Sequence, residues 1–268
     1  PECSYRGHQT RGRWPYCDCF PGWAGPACGE RAEVPTPIKA CIVFLMYDTT
    51  NKEYFRYQKK TLAALDRHFN DRFQYPVVIF HSAKYRQRMG GGNSSTYLES
   101  LLHSTRSKVI FQQVDFQYPK YLRPWPQVKL TCPRYTYPRA LNYIHMIQFF
   151  SLGWFRHPVL KGYEYVWRLD GDLAFTKPIP CDIFRVMRER KAVFGFYKWK
   201  NSKNPGSTKC SGPIDNITAQ YAQDHGFRPA HLHLVNNPGP GWYCGGWVVF
   251  KWSFWTSPDV LAFAEHIS

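Results

Sequence analysis

The stretch Tyr163-Glu-Tyr-Val-Trp-Arg-Leu-Asp-Gly-Asp172 joins a run of apolar residues to two carboxylates separated by a glycine. The run from Tyr163 to Leu169 predicts a buried β-strand, because it is short, rich in aromatic and β-branched residues, and ends at a turn signal. Ligands of open α/β sheets bind beyond the carboxyl ends of the strands. Asp170 and Asp172 are therefore the first candidate site residues.

Strand and helix patterns alternate on both sides of this stretch. Apolar runs predict three further strands, at Ile38 to Tyr47, Pro76 to Phe80 and Val109 to Phe116. Apolar residues at helical spacing predict helices at Lys52 to Phe69, Pro138 to Phe150 and Pro258 to Ile267. Such alternation predicts an α/β sandwich with a mostly parallel central sheet.

The two carboxylates have a chemistry of their own. In an extended chain alternate residues share a face, so Asp170 and Asp172 are expected to point the same way, and Gly171 lets a ligand approach the backbone. Hard cations such as Mn²⁺ or Mg²⁺ prefer carboxylate oxygens, and a cation here would neutralise a bound diphosphate. A structural Asx-turn is the alternative reading of the same tripeptide.

The amino terminus carries a different signal, four closely spaced cysteines at positions 3, 17, 19 and 28. The segment from Cys17 to Cys28 resembles the carboxyl half of an EGF-like module, which implies a Cys19–Cys28 disulfide and leaves Cys3–Cys17 as the second pair. A zinc knuckle is the alternative, but His8 is the only nearby histidine. We therefore predict an EGF-like disulfide module at residues 1–30, a proline-stiffened linker at 31–37 and the main domain at 38–268.

Composition limits the classes of protein and partner. The chain has 268 residues, of which 44% are hydrophobic and 18% aromatic, and this excludes a disordered or collagen-like protein. The formal net charge is +16, but the basic residues are scattered, so no nucleic-acid partner is expected. No run reaches the ~18 apolar residues of a membrane segment. Sequons at Asn93 and Asn216, together with the cysteines, indicate a lumenal or extracellular compartment.

Several motifs together resemble glycosyltransferase family 15, the fungal-type Golgi α-1,2-mannosyltransferases. The resemblance covers roughly residues 38–268, and its motifs are Ala64 to Pro76, Tyr143-Ile-His-Met146, Phe150 to Pro158, Tyr165-Val-Trp-Arg-Leu-Asp170 and Cys181-Asp-Ile183. It implies a GT-A-like fold, GDP-mannose as donor, Mn²⁺ (or Mg²⁺) as metal, and transfer with retention to a glycan or glycoprotein acceptor. It also implies a Golgi location, with the extracellular space or cell surface as second choice.

The resemblance assigns roles residue by residue. Asp170 and Asp172 match the family's metal-contacting acids, and we expect Arg168 and Asp172 to contact the nucleotide. Tyr143 matches a tyrosine at the sugar's anomeric carbon and is the catalytic candidate. A phenol with a pKa of about 10 is a weak nucleophile, so we favour a role in which Tyr143 positions the substrate. Tyr143 also shares a helical stripe with Ile147 and Phe150, and a core tyrosine stays the alternative.

The sequence also departs from the family pattern. Tyr47-Asp48 stands where the family has Arg-Asn, and no acid occurs around Gly245 to Val248. The family continues beyond the position of Ser268 with an Arg-Trp-Gly-Asp segment and a metal-contacting histidine, so a carboxyl-terminal part is expected to be missing. If it is not, the alternative is a catalytically inactive secreted or cell-surface adhesion protein that keeps the transferase fold.

Overall fold

In a computed structural model of the chain, the run before the two carboxylates forms a strand at the centre of a six-stranded sheet. The structure describes residues 3, 7–9, 17–19, 23–31, 37–46, 52–86, 96–116, 139–197, 199–201, 214–226, 241–243 and 245–267. The chain divides into two units, residues 1–38 and residues 39–268, and each is described by itself.

The strands and helices are numbered in chain order. The strands are β1 (Gly7–Gln9), β2 (Cys17–Cys19), β3 (Trp23–Ala24), β4 (Glu30–Arg31), β5 (Ala40–Met46), β6 (Val77–His81), β7 (Val109–Gln113), β8 (Tyr165–Leu169), β9 (Phe194–Phe196), β10 (Trp199–Asn201), β11 (Gly241–Tyr243) and β12 (Trp247–Lys251). The helices are α1 (Lys52–Leu65), α2 (Asp71–Phe73), α3 (Tyr97–Leu102), α4 (Arg139–Ser151), α5 (Ile183–Glu189), α6 (Ile214–Asp224), α7 (Trp252–Trp255) and α8 (Pro258–Ile267).

The central sheet confirms the predicted α/β class. Its strand order is β7-β6-β5-β8-β12-β9. The first three pairings are parallel, whereas β12 runs antiparallel to both β8 and β9. Arg168 stands opposite Val43 of β5 and opposite Val248 of β12. The parallel strands β5 and β8 therefore end at the edge of the sheet where β12 begins.

Both faces of the sheet are covered by aromatic side chains. On one face Phe149 of α4 packs against Phe80 with ring centroids 5.0 Å apart. On the other face Trp167 contacts Phe69 at 5.0 Å and Phe184 of α5 at 6.4 Å. Helices on both faces of a mostly parallel sheet make the sandwich that the alternation predicted. None of the helices in the described ranges is long and apolar enough to cross a bilayer.

The helix predicted for Lys52 to Phe69 changes character part-way. The α-helix ends at Leu65, and residues Asp66–Asn70 form a π-helical turn. The buried Asp66 carboxylate accepts hydrogen bonds from Thr105 Oγ1 at 2.7 Å, from the Arg106 backbone N–H at 2.6 Å and from Ser107 Oγ at 2.5 Å. These bonds satisfy a buried charge and join the end of α1 to the segment before β7.

Two of the family-like motifs have structural roles. Asp182 caps α5 by accepting from the backbone N–H of Phe184 at 3.0 Å, and its other oxygen accepts 2.8 Å from the Tyr75 hydroxyl. Asn70 hydrogen bonds to both the backbone N–H and C=O of Tyr75, at 2.9 and 2.8 Å. Burial and the Asp182 charge raise the pKa of Tyr75, so this phenol stays neutral.

The unit of residues 1–38 contains the two disulfides that the EGF resemblance implied. Cys3 is bonded to Cys17 and Cys19 to Cys28, with Cα atoms 5.4 and 5.3 Å apart. Two small antiparallel pairs accompany them, β1 with β2 and β3 with β4. Short strands of this kind bury little apolar surface, so the covalent links replace a core.

Candidate active site

Residues 170–172 form a turn, called the acid turn below, directly after β8. The Asp170 backbone N–H donates to the Gly246 carbonyl at 2.9 Å, which continues the pairing of β8 with β12 by one residue. Gly171 is buried and Asp172 is exposed. The expected extended geometry is therefore wrong: the chain turns at residues 171 and 172 because it leaves the sheet there.

Arg168 fixes one of the two acids. Its Nη2 donates to Asp170 Oδ1 at 2.6 Å, and its Nη1 donates to the Gly245 carbonyl. The guanidinium also lies 4.1 Å above the centre of the Phe150 ring of α4. With 12% of its side chain exposed, Arg168 is held by three partners, and it in turn orients Asp170.

The two carboxylates interact electrostatically. Burial raises the pKa of Asp170 above its usual value, the Arg168 guanidinium lowers it, and the negative charge of Asp172 raises it, with a net increase. The charge of Asp172 therefore acts on the Asp170 carboxylate, although Asp172 lies outside strand β8. A divalent cation at the pair would offset this repulsion.

Glycines allow the close packing around the acid turn. A Cβ atom on Gly246 would stand 2.6 Å from Asp170 Oδ2, far inside contact distance. A Cβ on Gly171 would meet the Gln58 Cγ at 3.1 Å and the Met46 Sδ at 3.4 Å. The turn is therefore enclosed by the start of β12 on one side and by α1 and the end of β5 on the other.

Helix α1 contributes residues that the sequence reading treated only as parts of an amphipathic helix. Burial, followed by the charges of Asp172 and Asp170, raises the pKa of Tyr54 to about 12. Gln58 is buried against Gly171, and Thr61 Oγ1 donates to the Leu173 carbonyl at 2.8 Å. In the sequence, the sign that α1 contributes to the site is three polar groups at positions i, i+4 and i+7, on a helix whose other buried residues are mostly apolar.

Tyr143 lies on α4, seven residues before Phe150. Only its backbone is among the described positions, so its distance from the acids stays a prediction. Residues seven apart lie on one face of an α-helix, and Phe150 on that face contacts Arg168. Ile147, between the two on the same face, is 46% exposed. The core tyrosine stays the alternative prediction for Tyr143.

The donor chemistry of the acid turn fits a hard cation. Within the described residues, no group of three or more His, Cys, Asp or Glu side chains has the spacing of a metal site. Asp170 and Asp172 provide carboxylate oxygens at the turn, and Mg²⁺-type sites are often built from one or two carboxylates, water and substrate phosphates. The two acids therefore suit a cation that is shared with a phosphorylated ligand.

A known family model matches the part of the chain that contains this site. The model of the family described as glycolipid 2-alpha-mannosyltransferase matches residues 30–204, more than half of the chain and including the acid turn. The chain belongs to this family. The resemblance to glycosyltransferase family 15 is thereby confirmed, and with it the assignment to a family of glycosyltransferases.

Relatives of known sequence are distant and longer. The chain is 26% identical over 143 residues to O-glycoside alpha-1,2-mannosyltransferase homolog 4 of Schizosaccharomyces pombe, which covers 51% of this chain and 31% of that protein. It is 24% identical over 177 residues to the glycolipid 2-alpha-mannosyltransferase of Saccharomyces cerevisiae. The aligned region covers 64% of this chain and 37% of that protein. The matched parts thus span about a third of these relatives.

Solved structures confirm the fold. Core-mannan synthase A from Aspergillus fumigatus, in its Mn/GDP form, is similar with a TM-score of 0.63 and 18% identity, over 88% of this chain and 66% of that one. The mannosyltransferase Ktr4p from Saccharomyces cerevisiae in complex with GDP has a TM-score of 0.63 and 14% identity, over 86% and 61%. At these identities the likeness shows the fold alone.

Proposed function

We propose that the chain is a retaining, metal-dependent mannosyltransferase that moves mannose from GDP-mannose to a glycan or glycoprotein acceptor. The observation that carries the proposal is the acid turn, built at the carboxyl edge of the sheet in a chain of this family, with Asp170 held by Arg168 and Gly246. The relatives that share the family are named mannosyltransferases, and the two similar structures are described as Mn/GDP and GDP forms.

Asp170 and Asp172 are the residues that would hold the cation. When bound, the cation supplies positive charge that neutralises the diphosphate and stabilises it as a leaving group. Arg168 keeps Asp170 in place through its hydrogen bond, and Arg168 with Asp172 forms the proposed contact surface for the nucleotide. Mn²⁺ is the cation we propose, with Mg²⁺ as the substitute of the same ligand preference.

Tyr143 is the proposed residue at the anomeric carbon. Tyr143 and Phe150 lie on the same face of α4, and the Phe150 ring packs on Arg168. This shared face supports a location of Tyr143 on the side of α4 that faces the acid turn. A phenol at the anomeric carbon would orient the sugar by hydrogen bonding. Replacement of Tyr143 by phenylalanine is expected to lower kcat more than it changes KM.

The amino-terminal unit supports a location in the secretory pathway. It has two disulfides, and such bonds form and persist mainly in oxidising compartments. We propose the Golgi lumen, with the extracellular space or cell surface as the second location. The proposed domain plan is the EGF-like module at 1–30, the linker at 31–37 and the transferase domain at 38–268.

Calorimetric titration with GDP tests the proposal directly. We expect GDP to bind only when Mn²⁺ is present, and we expect Asp172→Asn to lose this binding. The control is Asp259→Asn, which changes another exposed aspartate and should bind GDP as the unchanged chain does. If GDP produces no Mn²⁺-dependent heat in the unchanged chain, the transferase proposal is wrong, and the inactive adhesion protein is favoured.

A donor screen then names the sugar. The full chain is incubated with Mn²⁺ and each of several nucleotide sugars, and release of the nucleoside diphosphate is measured. Hydrolysis of GDP-mannose above that of the other donors is expected. With a mannoside acceptor, NMR of the product anomeric proton should show an α-linkage, and a β-linkage would contradict the retaining mechanism.

A further inference from the structure

An exposed aromatic residue, Tyr197, lies directly after strand β9. It has the largest exposed fraction, 69%, of the large apolar side chains in the described part of the chain. Its backbone N–H donates to the Trp247 carbonyl at 3.3 Å, whereas its side chain makes no hydrogen bond or ring contact with another described residue. A single exposed aromatic residue is common on protein surfaces, so its position decides whether it has a role.

The pairing of the strands places Tyr197 at the same edge of the sheet as the acid turn. Strand β12 runs antiparallel to both β8 and β9, so β8 and β9 run in one direction and end at the same edge. Trp247 of β12 stands opposite Leu169 of β8 and accepts from Tyr197 on its other side. Adjacent strands are about 4.8 Å apart, which places Tyr197 ~10 Å from Leu169, the residue before the acid turn.

The Tyr197 side chain shares a face of the sheet with Trp247. Side chains alternate between faces along a strand, and Phe194 and Phe196 share the opposite face, with their rings 5.9 Å apart. Trp247 contacts Trp167 of β8 with ring centroids at 5.0 Å. From β8 to β9 this face therefore carries a fully buried, a half-buried and an exposed aromatic residue.

The acid turn bends towards this same face. Phe175, three residues after the turn, contacts Trp167 at 6.2 Å, and Thr61 of α1 donates to the Leu173 carbonyl at 2.8 Å. Helix α1 thus covers the turn from the side of β5. Tyr197 is the exposed aromatic residue on the other side, towards β9.

The chemistry of the Tyr197 ring suits a sugar. The face of an aromatic ring carries partial negative charge, so it attracts the weakly positive C–H groups on the face of a pyranose. Ligands of hard cations lie within ~2.6 Å, so a ring ~10 Å across the sheet is placed for a sugar and not for the cation. In the proposed reaction the diphosphate holds the donor sugar at the acid turn, and an acceptor arrives from solvent, to which this ring is exposed.

We propose that Tyr197 is an acceptor-binding residue, whose ring stacks on a hexose unit of the glycan acceptor beside the acid turn. The inference rests on the proposed function, because it takes the acid turn as the place where mannose is transferred. It adds a residue that selects the acceptor and has no part in holding the cation or the nucleotide.

The test measures transfer of mannose by the full chain from GDP-mannose to methyl α-mannoside in the presence of Mn²⁺. Tyr197→Ala is expected to raise the KM for the mannoside about fivefold or more, because the ring contact is lost. Binding of GDP with Mn²⁺, and GDP release without acceptor, should match the unchanged chain. The control Phe254→Ala removes another exposed aromatic ring, from α7 at the opposite edge of the sheet, and should leave this KM unchanged.

Two further variants separate the flat ring from the other properties of Tyr197. Tyr197→Phe loses only the hydroxyl, so its KM for the mannoside should stay close to that of the unchanged chain. Tyr197→Leu keeps an apolar side chain without a flat face, so its KM should rise as in Tyr197→Ala. A Tyr197→Phe variant as impaired as Tyr197→Ala would overturn the stacking. Thermal unfolding checks each variant, and Tyr197→Leu decides if Tyr197→Ala folds poorly.

Saturation-transfer NMR provides a readout that does not depend on turnover. With GDP and Mn²⁺ present, irradiation of the aromatic protons should transfer saturation to C–H protons of methyl α-mannoside. Tyr197→Ala should reduce this transfer, and Phe254→Ala should not. Equal transfer in the unchanged chain and in Tyr197→Ala would contradict the proposed contact.

The outcomes distinguish this inference from the proposed function. If the unchanged chain transfers no mannose to the mannoside, the proposed function fails and the role of Tyr197 fails with it. If it transfers mannose and Tyr197→Ala has the same KM for the mannoside, only the role of Tyr197 is overturned. If Tyr197→Ala lowers GDP release without acceptor as strongly as it lowers transfer, the ring serves the donor and the acceptor role is wrong.

Discussion

The acid turn and the amino-terminal unit are both short segments, but they are held in shape by different means. The turn follows the largely buried strand β8 and is fixed by Arg168, by Gly246 and by helix α1. The described residues of the unit 1–38 form two disulfides and four strands of two or three residues. A site that must place charges depends on surrounding packing, whereas a small module can be kept folded by covalent links.

The largest effect is expected from the packing beneath the acid turn. Trp167 is fully buried between Phe69 and Phe184, and Trp167→Ala should lower the free energy of unfolding by about 3–5 kcal/mol. The control Tyr197→Ala replaces an aromatic residue that is 69% exposed, and it should change stability by less than about 0.5 kcal/mol. Urea unfolding followed by circular dichroism measures both, and equal effects would contradict the role of packing.

Loss of one disulfide should destabilise the amino-terminal unit. Replacing Cys19 and Cys28 by serine removes the covalent link of a short loop, worth about 2–4 kcal/mol to the unit that contains it. Hydrogen exchange measured by mass spectrometry should show lost protection in residues 1–38 and unchanged protection in β5 and β8. Lost protection in those two strands would show that the comparison is wrong.

Glycine substitutions test how closely the acid turn is packed compared with the amino-terminal unit. Gly246→Ala places a methyl group 2.6 Å from Asp170 Oδ2 and should cost about 1–3 kcal/mol of stability, together with a loss of Mn²⁺ affinity. Gly29→Ala in the amino-terminal unit is the control, since a Cβ there meets nothing within 4 Å. Thermal unfolding and Mn²⁺ titration distinguish the two. A Gly246→Ala variant that binds Mn²⁺ normally would show that Asp170 is not held as tightly as described.

The smallest effect is expected in the pH dependence of stability. Because the folded chain raises the pKa of Asp170, it holds the proton more tightly than the unfolded chain does. Stability should therefore fall as pH rises from the ordinary aspartate pKa through the raised value. Asp170→Asn keeps an acceptor for Arg168 but has no proton to lose, so its stability should decline less over this range. Parallel pH profiles of unfolding for the two proteins would contradict the raised pKa.

Much of the fold was predictable because local pattern and tertiary structure agree. The strands at β5, β6 and β8 and the helix at α8 lie where apolar periodicity placed them. Agreement was poorer where the pattern is short. The strand predicted to Phe116 ends at Gln113, and strands β9 and β12 were not predicted, because runs of three to five residues give little periodicity.

The site was predictable only in part. Asp170 and Asp172 stand out because they follow a buried strand, and ligands of α/β sheets bind beyond the carboxyl ends of strands, whereas Tyr54 and Gln58 look like ordinary members of a helix. The residues that act on them are distant in the chain: Tyr85 hydrogen bonds to Gln58, and the charges of the acid turn raise the pKa of Tyr54. Local sequence carries no sign of such contacts, since they depend on how α1 crosses the sheet.

The sequence by itself determined the α/β class and the edge at which the two acids stand, and its resemblance to an EGF-like module implied the pairing of the amino-terminal cysteines. Periodicity, a strand that ends in charge and a short cysteine motif are all local properties of the chain. Only the tertiary structure decided that Arg168 and Gly246 hold Asp170 and that Gln58 of α1 packs against Gly171 in the turn. The physical reason is that burial and hydrogen bonding are set by neighbours in space, and here those neighbours come from strands and helices far apart in the sequence.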